Sequence, residues 1–262
     1  MCNYSQRELK SIDHTAAPLQ NGKLLFMNTD NNGDFAEMII SQMVRMMGEG
    51  ALTPGEQISL RMMAQIFGVS TQPASIAFKM LESEGLIVTK KRSGTRIALL
   101  TPEDVWDSMQ LRLAVEEKAV DLACRYASDK ELDSLMKLAE NADMVTNSEE
   151  SLKHDDLFHL QLCNLSKSPA LYQYMRRNLP FFRVRSFLCP AIFAIGKALV
   201  PRVKAGTVTK IRGHQKITAL LRQRKSDRAK KLLNTHICVK GIEQLLAEYR
   251  KRHTINFWED GL

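Results

Sequence analysis

Between Ser59 and Leu99 the chain carries the start and stop signals of two short helices followed by a hairpin, an order that few folds can accommodate. Ser59 is a helix N-cap ahead of Leu60 to Phe67, and Gly68 stops that helix. Ser70 caps the next one, in which Pro73 sits in the first turn, where a missing N–H costs little. Its apolar positions Ala74, Ala77, Phe78 and Leu81 run on to Gly85. Two short alternating runs follow, Leu86 to Lys90 and Thr95 to Leu99, joined by Lys91-Arg92-Ser93-Gly94. Ala64 is small where two helices must cross closely, and Gly68 suits the left-handed conformation of a tight turn. Helix, turn, helix and basic hairpin make a winged helix-turn-helix.

The flanking sequence sets the boundaries. Residues 1–34 show no period and end in the turn-rich Asn28 to Asp34, which reads as a loose arm. From Phe35 a helical pattern begins, with Met38, Ile39, Met43, Met46 and Met47 as a core stripe through to Gly48, and Leu52-Thr53-Pro54-Gly55 reads as a turn. At Thr101 the composition changes: a cap, Pro102 at the first helical position, and Glu103 and Asp104 at the positive end of the dipole. Beyond it only helical periodicity is found, over Glu103 to Ala127, Asp129 to Thr146, Glu149 to Asn164, Pro169 to Phe187, Thr207 to Arg224 and Ser226 to Arg252. The fold class is therefore mainly α: an arm over 1–34, a winged helix-turn-helix over 35–100, an all-α bundle over 101–252 and a tail over 253–262.

Length and composition agree with two domains of an ordinary globular protein: 262 residues, 44% apolar and 25% charged. The longest greasy stretch, Phe187 to Val200, is broken by Pro190 and Lys197, and the first ten residues lack an apolar signal core. A cytoplasmic protein with no membrane partner is expected. Five cysteines without a CxxC pair fit reduced thiols better than a disulfide framework or a zinc-thiolate knuckle.

A net charge of +8 favours a polyanionic partner. Its distribution is uneven, with fifteen acids against six bases from Thr101 to Leu165 and fifteen bases against three acids from Pro201 to Arg252. The plain reading is that these helix faces pair with each other inside the domain or across a dimer. Direct contact of the basic stretch with nucleic acid is the alternative.

Asp155 and His159 stand i and i+4 on one helix, so their side chains leave the same face one turn apart. His214 and His236 fall on the next-to-last and last expected helices, where antiparallel packing can bring both opposite that face. One carboxylate and three imidazoles suit Zn, Ni, Mn or Fe(II), with open positions left for water or a carboxylate ligand. Taken singly, a histidine in a helix stripe is more often a hydrogen-bonded core residue. His154 points to another face and is expected to be exposed.

The stretch from Gly50 to Ile97 resembles the winged helix-turn-helix of the GntR family of bacterial transcription regulators. The likeness is carried by Pro54-Gly55-Glu56, Arg61…Ala64…Phe67-Gly68-Val69-Ser70, Pro73, and Leu81-Glu82…Glu84-Gly85-Leu86. The remainder resembles the FadR-type (FCD) effector domain of that family through Arg112…Glu116, Asp155…Phe158-His159, His214 and His236. The resemblance implies a ligand-responsive homodimer, not an enzyme, that binds a palindromic duplex operator. The DNA-facing candidates are Arg61, Thr71, Gln72, Ser75 and Lys79, with Lys90, Lys91, Arg92 and Arg96 on the wing. Gln72 can pair with the N6/N7 edge of adenine, whereas the wing cations neutralise phosphates. Thr71 and Ser75 stand where the family usually has arginines, so the half-site should differ from the common one or be bound less tightly.

In the family the metal anchors a small organic acid. The resemblance therefore implies metal ligation by Asp155, His159, His214 and His236 and pairing of Arg112 with the acid's carboxylate. An i,i+4 salt bridge to Glu116 is the plainer role for Arg112. Two other functions fit the residues less well. One is a degenerate regulator that acts through protein contacts. The other is a metal-dependent hydrolase, which would lack an evident general base.

Overall fold

The computed structural model describes residues 31–144, 148–192, 213–237 and 242–252. The chain divides into two compact units with the break between Leu100 and Thr101.

The first unit opens with α1, Asn31–Gly48. It starts within the stretch expected to be a loose arm, because Asn and Asp also suit a helix's first turn, where Asp34 meets the positive end of the dipole. Its buried face is Ala36, Ile39, Ile40, Met43, Met46 and Met47, and it packs on α3. Met38 does not belong to this core and is 36% exposed. It lies roughly 140° around the helix from the centre of the buried face.

After α1 come β1 (Gln57–Ile58), α2 (Leu60–Phe67), α3 (Thr71–Ser83), β2 (Ile87–Lys90) and β3 (Gly94–Ile97). The Ser59 hydroxyl accepts from Met62 N at 3.1 Å, as its cap position demands. Gly68 closes α2 in the left-handed conformation, φ 65°, its N–H donating to Ala64 and Gln65 carbonyls. That positive φ is what lets α3 turn back across Ala64 within so few residues. Ser70 holds the N-cap position of α3 but makes no side-chain capping bond. The hairpin forms with Thr89 opposite Thr95 and Lys90 opposite Gly94. A third strand, β1, pairs antiparallel with β3 in the order β1-β3-β2. Its two residues are too short for any alternation to reveal.

The second unit is helical: α4 (Pro102–Tyr126), α5 (Asp129–Met144), α6 (Ser148–Leu165), α7 (Pro169–Leu188), α8 (Gly213–Arg222), α9 (Ser226–Ile237) and α10 (Ile242–Arg252). Thr101 and Asp104 close a reciprocal capping box ahead of Pro102. The expected helix from Thr207 is described from Gly213 onward, and the one expected over Ser226 to Arg252 is described as α9 and α10, with 238–241 outside the described residues. Among the described residues no strand follows Ile97.

α4 packs against α6, α7 and α9, and α5 against α6 and α8. The core between them includes Leu113, Val120, Leu132, Phe158, Leu162, Ile217, Leu221 and Leu233, all buried. The charge asymmetry finds its partners inside this unit: Arg222 with Asp133, Arg224 with Asp129, Lys230 with Asp121 and Arg250 with Glu103, at 2.8 to 3.0 Å. The basic C-terminal helices thus face the acidic N-terminal ones, and each exposed pair contributes roughly 0–1 kcal/mol. Cys124, Cys163 and Cys189 are free thiols.

Candidate metal centre and nucleic-acid face

Three helices deliver the polar cluster of the second unit. α6 places Asp155 and His159 one turn apart; α8 brings His214 in its first turn, and α9 brings His236 in its last. Asp155 Oδ1 stands 3.1 Å from His214 Nε2 and 3.7 Å from both His159 Nε2 and His236 Nε2. One ligand atom from each residue lies within 4.8 Å of all the others. Ligand atoms about 2.1 Å from a tetrahedral ion lie roughly 3.4 Å apart, so the set needs only slight closure to hold one.

The chemistry of the nitrogens fits a metal. His159 is fully buried, and its Nδ1 is 2.5 Å from Glu116 Oε2 on α4. Burial works to raise the Glu116 pKa, but His159 and Arg112 hold it below the usual carboxylate range, so Glu116 accepts and Nδ1 carries the proton. The opposite nitrogen, Nε2, is buried without a hydrogen-bond partner and faces Asp155. A buried nitrogen left so costs roughly 1–3 kcal/mol, a cost that coordination removes. His214 repeats the pattern, with Nδ1 on Asp143 Oδ1 at 2.8 Å and Nε2 toward Asp155. Asp143 also accepts from Gln215 N at 3.1 Å, fixing the start of α8.

Packing sets the third imidazole. A Cβ at Gly213 would lie 2.8 Å from His236 Nδ1, so His236 can stand there only because that residue is glycine. Phe158, fully buried, stacks edge-on against His214 with ring centroids 4.6 Å apart. Burial and the charges of His159 and His214 lower the His236 pKa, with Asp155 opposing. His214 is pushed up to about 9: burial opposes the rise, and the bonds to Asp143 and Asp155 outweigh it. Asp155 is held well below its usual range by the three imidazoles against its burial.

Two guanidiniums flank the cluster. Arg112 Nε donates to Glu116 Oε1 at 2.7 Å, the i,i+4 salt bridge, with 13% of its side chain exposed. The charges of Asp155 and Asp156 also act on Arg112, in addition to that of Glu116. Arg183 on α7 is 2.8 Å from Asp155 Oδ2 and 2.6 Å from Asp156 Oδ1. Burial pushes the Asp156 pKa up to about 6, with Arg183 pulling the other way. His154, expected to be exposed, is half-buried. It stands one residue before Asp155 on a helix packed against three others, which leaves it little open surface.

Sequence reasoning missed Asp143, Arg183 and Gly213, and it read Glu116 only as the partner of Arg112. None of the first three shares a periodic face with a ligand. Glu116 carried a usable signal, since a carboxylate four residues from Arg112 on a buried helix face needs a further donor.

In the first unit, Arg61, Thr71, Gln72, Lys79, Lys90, Lys91, Arg92 and Arg96 are exposed and Ser75 is half-buried. Arg92 sits at the hairpin tip with φ 70°. Arg96 is engaged within the sheet: its two terminal nitrogens donate to Gly55 O at 3.1 Å and Gln57 Oε1 at 3.3 Å.

A winged helix-turn-helix joined to a helical unit with a buried His/Asp cluster defines a class of DNA-binding regulator, and comparison with known proteins gives the family. Residues 35–97 match the bacterial regulatory proteins of the gntR family, and residues 107–238 match the FCD domain. The chain belongs to the GntR family of transcription regulators, in the FadR-type subfamily with an FCD C-terminal domain. That membership implies DNA binding by the first unit and effector binding by the second. An uncharacterized HTH-type transcriptional regulator of Bacillus subtilis (strain 168), YdhC, is 29% identical over 154 residues, 56% of this chain and 69% of the relative. The Nta operon transcriptional regulator of Aminobacter aminovorans is 32% identical over 127 residues, 47% of this chain and 60% of the relative.

Among solved structures, Escherichia coli McbR/YncC has the same fold, with a TM-score of 0.59 at 18% identity over 87% of this chain and all of that one. A GntR regulator from Rhodococcus sp. RHA1 gives 0.57 at 19% identity over 83% of this chain and all of that one. No described helix is long and apolar enough to cross a membrane.

Proposed function

We propose that this protein is a homodimeric regulator whose affinity for a palindromic operator is set by a small carboxylate metabolite bound at the His/Asp cluster of the FCD unit. Asp155, His159, His214 and His236 would hold a divalent ion of the Zn, Ni, Mn or Fe class, which supplies open coordination positions for a carboxylate. The observation that carries this reading is the His159 imidazole, anchored on one side by Glu116 and unpartnered on the other, where it faces the remaining three ligands.

Arg112 would pair with the effector's carboxylate while Glu116 keeps its guanidinium oriented. Arg183 and Glu116 lower the cost of gathering charge there by holding Asp155 and His159 in place. The first unit's β3 ends at Ile97 and α4 starts at Pro102, so a change in α4 has only four residues of chain before the wing. An effector alters DNA binding only by as much as it prefers one arrangement over another, here roughly 1–3 kcal/mol.

On the DNA side, two reading helices in a dimer match two half-sites. Arg61, Thr71, Gln72, Ser75 and Lys79 would face the groove, and Lys90, Lys91, Arg92 and Arg96 the phosphates. The test is a titration of hydroxy acids, sugar acids and dicarboxylates against a labelled operator complex, with wild type and His159→Ala in parallel. The reading requires a response in the wild type that the variant loses while its unliganded DNA binding persists. A variant that responds fully would place the effector elsewhere. A protein that binds no duplex at all would favour action through protein contacts.

A further inference from the structure

The recognition helix displays one apolar side chain that the core does not claim. Pro73, Ala74, Ala77, Phe78 and Leu81 are the buried face of α3. At about 100° per residue, Gln72, Ser75, Ile76 and Lys79 fall within an arc of roughly 100° on the opposite side. Gln72 and Lys79 are exposed, Ser75 is half-buried, and Ile76 is 38% exposed. Ile76 stands four residues after Gln72, one turn further along the same face. A single exposed isoleucine is ordinary on most surfaces. Here it lies at one edge of that arc, about 40° around the helix from Gln72, on the side that the family membership turns toward DNA.

The major groove offers one apolar feature to such a side chain, the C5-methyl group of thymine. Gln72 has its complement on the same base pair type, since a carboxamide pairs with both N6 and N7 of adenine. α3 contains no arginine, so the commonest guanine reader is absent from the helix. We infer that α3 reads A·T pairs, with Ile76 packed on a thymine methyl and Gln72 on an adenine edge in each half-site. Lys79 is left for a phosphate or a guanine at the far end of the helix. This inference rests on the proposed reading of α3 as the DNA-reading element.

The experiment uses the full chain and two stages that separate the two readings. Selection from a pool of random duplexes identifies the bound sequence. Each thymine in that sequence is then replaced singly by deoxyuridine, which removes the methyl group and nothing else. Wild-type affinity should fall about fourfold at one thymine per half-site, the weight of one buried methyl group. Ile76→Ala should bind thymine and uracil forms of that site equally, and Gln72→Ala should relax the preference for adenine. Ile76 is partly exposed, and an unchanged melting temperature shows that its replacement leaves the fold intact. Failure to enrich any duplex would remove the DNA-reading role itself. An enriched duplex with no uracil-sensitive position, or one whose uracil sensitivity survives in Ile76→Ala, would overturn the assignment of Ile76 alone.

Discussion

Glu116 Oε2 lies 2.5 Å from His159 Nδ1, across from α4 to α6, and the same carboxylate takes Arg112 Nε on its other oxygen at 2.7 Å. One buried acid therefore orients both a candidate metal ligand and the candidate effector-binding cation. Outer partners of this kind commonly account for about 10–100-fold in metal affinity. Glu116→Gln should weaken divalent-metal binding by that order, as read by competition with a chromophoric chelator. An unchanged affinity would mean that His159 needs no such anchor.

Metal uptake should release protons. His214, pushed up to about 9 by Asp143 and Asp155 against its burial, carries an extra proton at neutral pH in the metal-free protein, and Glu116 and Asp155 raise His159 in the same direction against its burial. A raised value favours the protonated form, and coordination demands the neutral one, so affinity must rise with pH. Calorimetric titrations in buffers of different ionisation enthalpy, repeated between pH 6 and pH 8, should show net release and tighter binding at the higher pH. Affinity flat across that range would contradict the protonation scheme.

Gly213→Ala should damage the centre without replacing a ligand. The added methyl group would sit 2.8 Å from His236 Nδ1 and must displace that imidazole or the start of α8. The helical circular-dichroism signal should persist while metal affinity drops toward that of His236→Ala. Wild-type affinity in Gly213→Ala would contradict a centre that needs both His236 and His214 in these positions.

DNA binding should weaken steeply with salt, because the wing and helix termini release counterions from several phosphates. Arg61→Ala should cost about 1–3 kcal/mol if its exposed side chain reaches a base or a desolvated phosphate. Fluorescence anisotropy on the selected duplex at several salt concentrations checks both. A salt-independent affinity would count against the phosphate contacts, and full binding by Arg61→Ala would remove that residue from the interface.

The elements and the four clustered residues were legible in the sequence for different reasons. Ser59, Gly68, Thr101 and Pro102 are local signals, and the helices they bound begin and end where those signals fall. Asp155 and His159 were readable as an i,i+4 pair; antiparallel packing of the last expected helices allowed His214 and His236 to face them, and the family resemblance joined all four as one ligand set. Asp143, Arg183 and Gly213 have no local signature, since their roles arise from packing of α5, α7 and α8 around α6. Ile76 escaped notice because isoleucine in a helix ordinarily belongs to the core, and its exposure depends on which face α1 and α2 cover. Met38 is the converse case, a methionine at helical spacing that the packing leaves outside.

The central claim, that Asp155, His159, His214 and His236 form one metal centre, is tested most directly by elemental analysis. The full-length protein and His159→Ala would be stripped with a chelator, reconstituted with each candidate divalent metal and desalted. The account predicts close to one equivalent of metal per chain in the wild type, and a large loss in the variant. Less than a small fraction of an equivalent in the reconstituted wild type, with every metal tried, would contradict it.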